Sequence, residues 1–250
     1  MRLLYSVICL ALPFSTVATF VGQTPSPSVF LAQAQTATLA GKSFHTLKLS
    51  GTAEWTAGSQ QETGNAELEA NADGSTSVQL NLSKATRTET QAKTDSEKTC
   101  QWTDAAGTVH DVLGPNCFVS IPWFAPILFT QASSQLPALL TTADDGAVTK
   151  DGTALHQVSY KLNIQGADDA ATKRAQDAST VKVFFDPQTF LPSSLEYAIH
   201  PDNNDLQSLD VKVVFSDYRS VSGVMLPFHI EKYIQRSLQL KLDISNTSIE

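Results

Sequence analysis

Cysteine is scarce in this chain, with three residues in 250. One of them, Cys9, lies in an apolar N-terminal stretch, so Cys100 and Cys117 stand alone in the remainder. That excludes a four-cysteine zinc site. A mixed site fails as well, since His110 lies between the pair but no fourth ligand stands at a suitable spacing. Basic residues are in deficit, 17 Lys and Arg against 25 Asp and Glu, and the net charge of −8 opposes binding to nucleic acid or anionic headgroups by charge alone. The five histidines (His45, His110, His156, His200, His229) form no His-Glu-x-x-His motif. His229-Ile230-Glu231 opens like a zinc-deaminase signature, but the Pro-Cys-x-x-Cys half is missing. No Gly-x-Ser-x-Gly elbow and no Gly-rich phosphate loop occurs. Asp144-Asp145-Gly146 and Asp202-Asn203-Asn204-Asp205 lack the regular ligand spacing and closing Glu of a calcium loop, and read as turns. The sequence therefore points to no catalytic residue, no metal and no cofactor, and to a protein that is not an enzyme.

Long apolar runs are equally few. The main one, Leu3 to Gly22, follows Met1-Arg2 and precedes Ala32-Gln33-Ala34, a small-x-small pattern. It is close to the ~20 residues of a spanning helix, but Pro13 and the hydroxyls of Ser6, Ser15, Thr16 and Thr19 suit a signal peptide better. Residues 1–34 are expected to be signal peptide and leader, cleaved near Gly22 or after Ala34, with 23–41 as a tether and 42–250 as a single domain. Membrane association is expected only through the N-terminal segment, and the exported chain is expected to be a periplasmic or secreted monomer. In that oxidising setting Cys100 and Cys117 are expected to form a disulfide, which stabilises by roughly 3 kcal/mol on the chain-entropy model.

What is abundant is alternation. Leu238-Gln239-Leu240-Lys241-Leu242-Asp243-Ile244-Ser245 is apolar at every second position, the period of a strand with one dry face. Four further strands precede it, Thr180–Phe185, Ser194–His200, Leu209–Arg219 and Val224–Gln235, linked closely enough to pair antiparallel. Upstream, strands are expected around Leu47–Trp55, with Gly51 and Ala53 leaving room on the buried side, and over Ala66–Ala70, Val78–Leu82 and Leu155–Ile164. Asp73-Gly74 and Asp104–Gly107 mark hairpins. Lys84–Lys98 is so polar that it reads as an exposed edge or loop, and Asp168–Ala178 as an exposed loop or frayed helical turn. The expected class is mainly β (α+β): a curved, half-open antiparallel sheet of about 10–11 strands with one or two short helices on its concave face.

The charge-free run from Phe118 to Phe129, continuing to Leu140, supplies those helices, with Pro122 and Pro126 suited to helix starts. Two readings stand. The run is a permanent cover for the sheet, or Trp123, Phe124, Ile127, Leu128 and Phe129 form a movable lid over an apolar cavity. Such a cavity suits acyl chains, because each buried CH₂ contributes about 0.8 kcal/mol without directed polar contacts.

Two stretches carry a resemblance. Phe185-Asp186-Pro187-Gln188-Thr189-Phe190-Leu191-Pro192 resembles a turn of LolA-like periplasmic carriers and related outer-membrane lipoprotein-sorting proteins. The segment from Phe215 to Phe228, with Tyr218, Val221, Gly223-Val224 and Leu226-Pro227, resembles a strand-turn-strand of the same group. The resemblance implies a curved sheet plugged by helices that shelters acyl chains, and a lipid or lipidated protein as partner. Binding of a lipid, acyl chain or other apolar ligand is thus the expected function. The alternative is an envelope interaction or sensor module with a filled core, for which Lys84–Lys98 offers an edge to a partner strand.

Overall fold

In the computed structural model, residues 27–93, 98–112, 116–117, 119, 121–135, 140–163, 168–200 and 207–250 are described. The leader residues 1–26, including Cys9, and the Pro201–Asp205 turn lie outside them. Thirteen strands run β1 (Thr46–Ala57), β2 (Gln60–Asn71), β3 (Thr76–Leu82), β4 (Thr86–Lys93), β5 (Lys98–Thr103), β6 (Val109–Val112), β7 (Leu140–Lys150), β8 (Thr153–Leu162), β9 (Val181–Phe185), β10 (Pro192–Ile199), β11 (Leu209–Val221), β12 (Val224–Ile234) and β13 (Ser237–Ile249). They form one antiparallel sheet in the order β6-β5-β4-β3-β2-β1-β13-β12-β11-β10-β9-β8-β7. Three α-helices are seen among the described residues: α1 (Pro27–Leu39), α2 (Ile127–Gln135) and α3 (Asp169–Ala178).

The order explains the architecture. The chain enters mid-sheet at β1, steps outward to the edge at β6, and resumes at the opposite edge with β7. It then steps back until β13 pairs with β1. Each step is an antiparallel pairing; several are closed by tight turns, and the step from β8 to β9 runs through α3. Gly74 (φ 87°) turns β2 into β3, where Asp73 Oδ1 accepts from the Ser75 amide. Gly107 (φ 83°) turns β5 into β6 over the Asp104 carboxylate. Where a strand has an apolar parity it faces one side: Leu47, Leu49 and Ala53 on β1, Val211, Val213 and Phe215 on β11, and Leu240, Leu242 and Ile244 on β13 are all buried. Leu238 breaks the pattern. It lies beyond the register shift at Lys232/Tyr233 and is exposed.

The two motif stretches meet physically. The Asp186 carboxylate accepts from the Gln188 and Thr189 amides at 2.8 Å each, closing the turn between β9 and β10. The Tyr218 hydroxyl on β11 donates to the Pro192 carbonyl at 2.6 Å.

Four expectations are corrected. The tether over 23–41 is helical from Pro27 to Leu39, with Phe30, Ala34 and Leu39 in the core. The Lys84–Lys98 stretch is no edge where it is described, because β4 pairs with β3 on one side and β5 on the other; Lys84 and Ala85 do lie outside the strand, and 94–97 lie outside the described residues. Asp144-Asp145-Gly146 is no turn but an irregularity within β7, where Asp144 meets His156 at 2.6 Å in a buried pair. Asp168–Ala178 is a helix, with Asp168 capping the Ala171 amide and no residue buried. The polar strands β4 and β7 account for a sheet larger than ten or eleven strands.

Candidate functional site

Because β6 and β7 lie at opposite edges, the chain between Val112 and Leu140 must cross the open face of the sheet. That crossing is the charge-free run. Cys117, at its start, is joined to Cys100 on β5 by the expected disulfide, with Cα atoms 5.4 Å apart. A 3-10 turn over Ile121–Phe124 follows and lies against β3 and β4. Pro126 then precedes α2, where a missing N–H costs no intrahelical bond. The five residues expected to form a lid come together here. Trp123 and Phe124 are fully buried, Ile127 and Phe129 nearly so, and Leu128 is partly buried. Trp123 and Phe124 meet edge to face at 5.6 Å, and Phe129 lies 5.5 Å from the Tyr160 ring. Helix α1 packs beside α2 and touches β12 and β7. The concavity is filled by this plug.

Its bed is the part that sequence reasoning missed. On β4, Arg87, Glu89 and Gln91 occupy alternate positions on the concave side. Arg87 pairs with the buried Glu62 at 3.1 Å and lies over the Trp55 ring at 4.0 Å. Glu62 also accepts from the Lys84 amide at 3.1 Å. Glu89 accepts from the Trp123 indole N–H at 2.9 Å. From β12, five places away in the sheet, the Lys232 ammonium reaches to 3.6 Å from Glu89 and lies 4.5 Å over the Trp123 ring. The plug's one polar ring atom is therefore fixed by a pair that spans the concavity. The signal for this bed is the strict alternation of Arg87, Glu89 and Gln91 with threonines, a strand pattern whose inner face is polar.

Several buried groups here have no hydrogen-bond partner: the Thr76, Tyr160 and Tyr197 hydroxyls and both amide atoms of Gln91. Thr76 and Gln91 are cross-strand neighbours. Each such group costs about 1–3 kcal/mol relative to a solvated or paired one. Burial pushes the Tyr160 hydroxyl well above the ordinary tyrosine range. Burial, and secondarily the Glu89 carboxylate, does the same for Tyr197.

At one end of the sheet the concavity opens into a cleft of about 190 Å³, lined by Trp55, Leu80, Arg87, Glu89, Trp102 and Lys232 among others. Trp102 is 42% exposed and stacks on His110 at 4.4 Å. Broader depressions lie elsewhere, one over the charged outer faces of β1 and β2 and a shallow one beside α1. Of the remaining histidines, His229 sits on the outer face between Asp243 at 2.6 Å and Glu231 at 3.4 Å. Burial disfavours its charge, but the two carboxylates outweigh that and raise its pKa. Among the described residues no three His, Cys, Asp or Glu side chains are grouped to hold a metal, and no helix is long and apolar enough to cross a membrane.

No family model matches this chain, and no curated protein does. Solved structures do. A Vibrio parahaemolyticus domain, provisionally named an outer-membrane lipoprotein-sorting protein domain, superposes with a TM-score of 0.53 at 9% identity, covering 88% of this chain and 91% of its own. A DUF1329 family protein from Desulfovibrio piger gives 0.53 at 10% identity, with 89% and 91% covered. A LolA superfamily protein from Nitrosomonas europaea gives 0.51 at 10% identity, with 89% and 93% covered. At these identities the likeness is one of fold, and the fold is the curved, plugged sheet that the two motifs imply.

Proposed function

We propose that this chain is an exported, non-catalytic protein of the cell envelope that binds a lipid, acyl chain or other apolar ligand in the concavity of its sheet. On this reading the segment from Trp123 to Phe129 is a lid, seen closed. The observation that carries the proposal is the mismatch between the plug and its bed. Permanent cores satisfy nearly all their buried polar groups. Here the apolar crossing segment lies over a strand bearing Arg87, Glu89 and Gln91, and leaves the Gln91 amide and the Thr76 hydroxyl without partners. Such a cover gains less by staying closed than a fully matched one. The fold, shared with structures named for lipoprotein sorting and the LolA superfamily, supports the same reading. A lipidated protein is a partner of the same chemistry.

Native mass spectrometry tests this directly. Protein purified from the exporting host without detergent should carry adducts of lipid mass, and delipidated protein should take up a fluorescent fatty acid. A clean apo mass together with no uptake overturns the proposal.

One observation favours a second reading: Trp123 and Phe124 are fully buried in the concavity, as permanent core residues are. A partner-binding envelope module with a permanent core predicts capture of a protein partner by the purified chain and no lipid adducts. The same spectrum therefore separates the two.

A further inference from the structure

The cleft at the open end of the sheet holds two cations whose hydrogen-bonding capacity is unmet. Lys232 is 8% exposed. Its ammonium has two partners, a Glu89 oxygen at 3.6 Å and the Trp123 ring face at 4.5 Å, and neither is a hydrogen bond. Arg87 donates to Glu62, yet its Nε is buried without a partner. The carboxylates nearby are better served. Glu62 accepts from both Arg87 and the Lys84 amide, and Glu89 accepts from the Trp123 indole. Glu89 lines the cleft as well, but its oxygen stays 3.6 Å from the ammonium, beyond hydrogen-bond distance, so Lys232 has room for a closer acceptor. The cleft's other walls are mixed: Trp55, Val78, Leu80, Trp102 and Leu240 supply apolar surface, and Thr88, Thr103 and Gln239 supply polar surface.

We propose that this cleft binds the oxyanion head, carboxylate or phosphate, of a single-chain amphiphile, with Lys232 and Arg87 as donors and the alkyl chain running along Trp55, Leu80 and Leu240 toward Trp123. The inference rests on the lipid-binding reading above and adds which end of the ligand is recognised, and where. Size supports a head rather than a whole lipid. About 190 Å³ is the liquid volume of roughly six waters, enough for a small oxyanion and the first few methylenes. A longer chain has to continue into the space that Trp123 occupies. Charge-assisted hydrogen bonds from buried cations are the stronger kind and select for an anionic head over a neutral one.

Intrinsic tryptophan fluorescence and calorimetry on the full exported chain, with dodecanoate, dodecanol and inorganic phosphate as probes, test the proposal. Dodecanoate should bind at least about tenfold more tightly than dodecanol. Lys232→Met should remove most of the preference for dodecanoate while leaving dodecanol binding unchanged, and Lys232→Arg should restore most of the difference. Lys232→Met leaves Glu89 its indole donor, so the fold is expected to survive, and an unchanged thermal midpoint confirms that. Equal binding of both amphiphiles, unaffected by Lys232→Met, overturns the head site and leaves lipid binding intact. Phosphate that competes as well as dodecanoate binds assigns the cleft to a free oxyanion and overturns the amphiphile. Binding of none of the probes overturns this inference, and the mass spectrum above then decides separately on the lipid reading.

Discussion

Single residues at the seams set what the sheet tolerates. Gly51 lies where β1 pairs with β13 across a register shift, and a methyl group there would sit 2.0 Å from the Asp243 carbonyl oxygen. The small residue makes room for a neighbouring backbone, not for a buried side chain as its parity in the sequence implies. Backbone within a paired strand cannot move aside as a flexible side chain can. Gly51→Ala is therefore expected to lower stability by at least about 2 kcal/mol in urea melts. Gly41→Ala, where the space around the residue is open but φ is +76°, tests backbone conformation alone and should cost less, about 1 kcal/mol. Asp186 is a second such point. Hydrogen bonds from the Thr189 amide, and then the Gln188 amide, hold its carboxyl below the ordinary range. A depressed folded pKa contributes stability that is present above the unfolded value near 3.9 and lost as pH falls through the folded one. Asp186→Ala should thus cost about 1–2 kcal/mol at pH 7, with the difference from wild type shrinking as the pH is lowered below about 4. A gap that stays constant down to pH 2 would contradict the charge-based account.

At the scale of elements, the disulfide fixes where the crossing segment begins. Cys100 and Cys117, 17 residues apart, hold the start of that segment on β5. Replacing both with Ser should cost roughly 3 kcal/mol of unfolding free energy, read as a lower urea midpoint under oxidising conditions that reductant reproduces in the wild type. The same scale shows what could be read in advance. The five C-terminal strands were legible because each has one wet and one dry face, and their boundaries in the fold fall within a few residues of the alternation. Strands β4 and β7 were not. Their inward positions carry Arg87, Glu89 and Asp144, whose polar ends meet Glu62, Trp123 and His156. Periodicity reports the environment, and these partners are distant in sequence. Helix α3 was missed for the opposite reason: it buries nothing, so no apolar stripe marks it, and its signal is the Asp168 cap. The plug aromatics were legible as a charge-free run. The cleft was not, since it needs Trp55, Arg87, Trp102 and Lys232 brought together by sheet curvature.

For the whole molecule, the most consequential contact joins its beginning to its second half. Phe30 of α1 stacks on His156 at 3.5 Å and meets Phe185 at 5.6 Å and Phe190 at 5.5 Å, so a helix preceding β1 is anchored on β8, β9 and the turn after β9. Phe190 holds this position at φ 60°, a conformation uncommon for a bulky residue, which the Asp186-capped turn imposes. This bears on the two expected processing positions. A cut near Gly22 leaves α1 whole. A cut after Ala34 removes Phe30 and Ala34 from the core and empties the aromatic socket, a loss comparable to a Phe→Ala core truncation of about 3–5 kcal/mol. On the export reading proposed above, the mature form begins upstream of Pro27, as read by N-terminal sequencing or intact mass. A protein engineered to start at Gln35 should melt at a distinctly lower urea concentration than one starting at Gln23, and equal midpoints would show that the first half of α1 is dispensable to the fold.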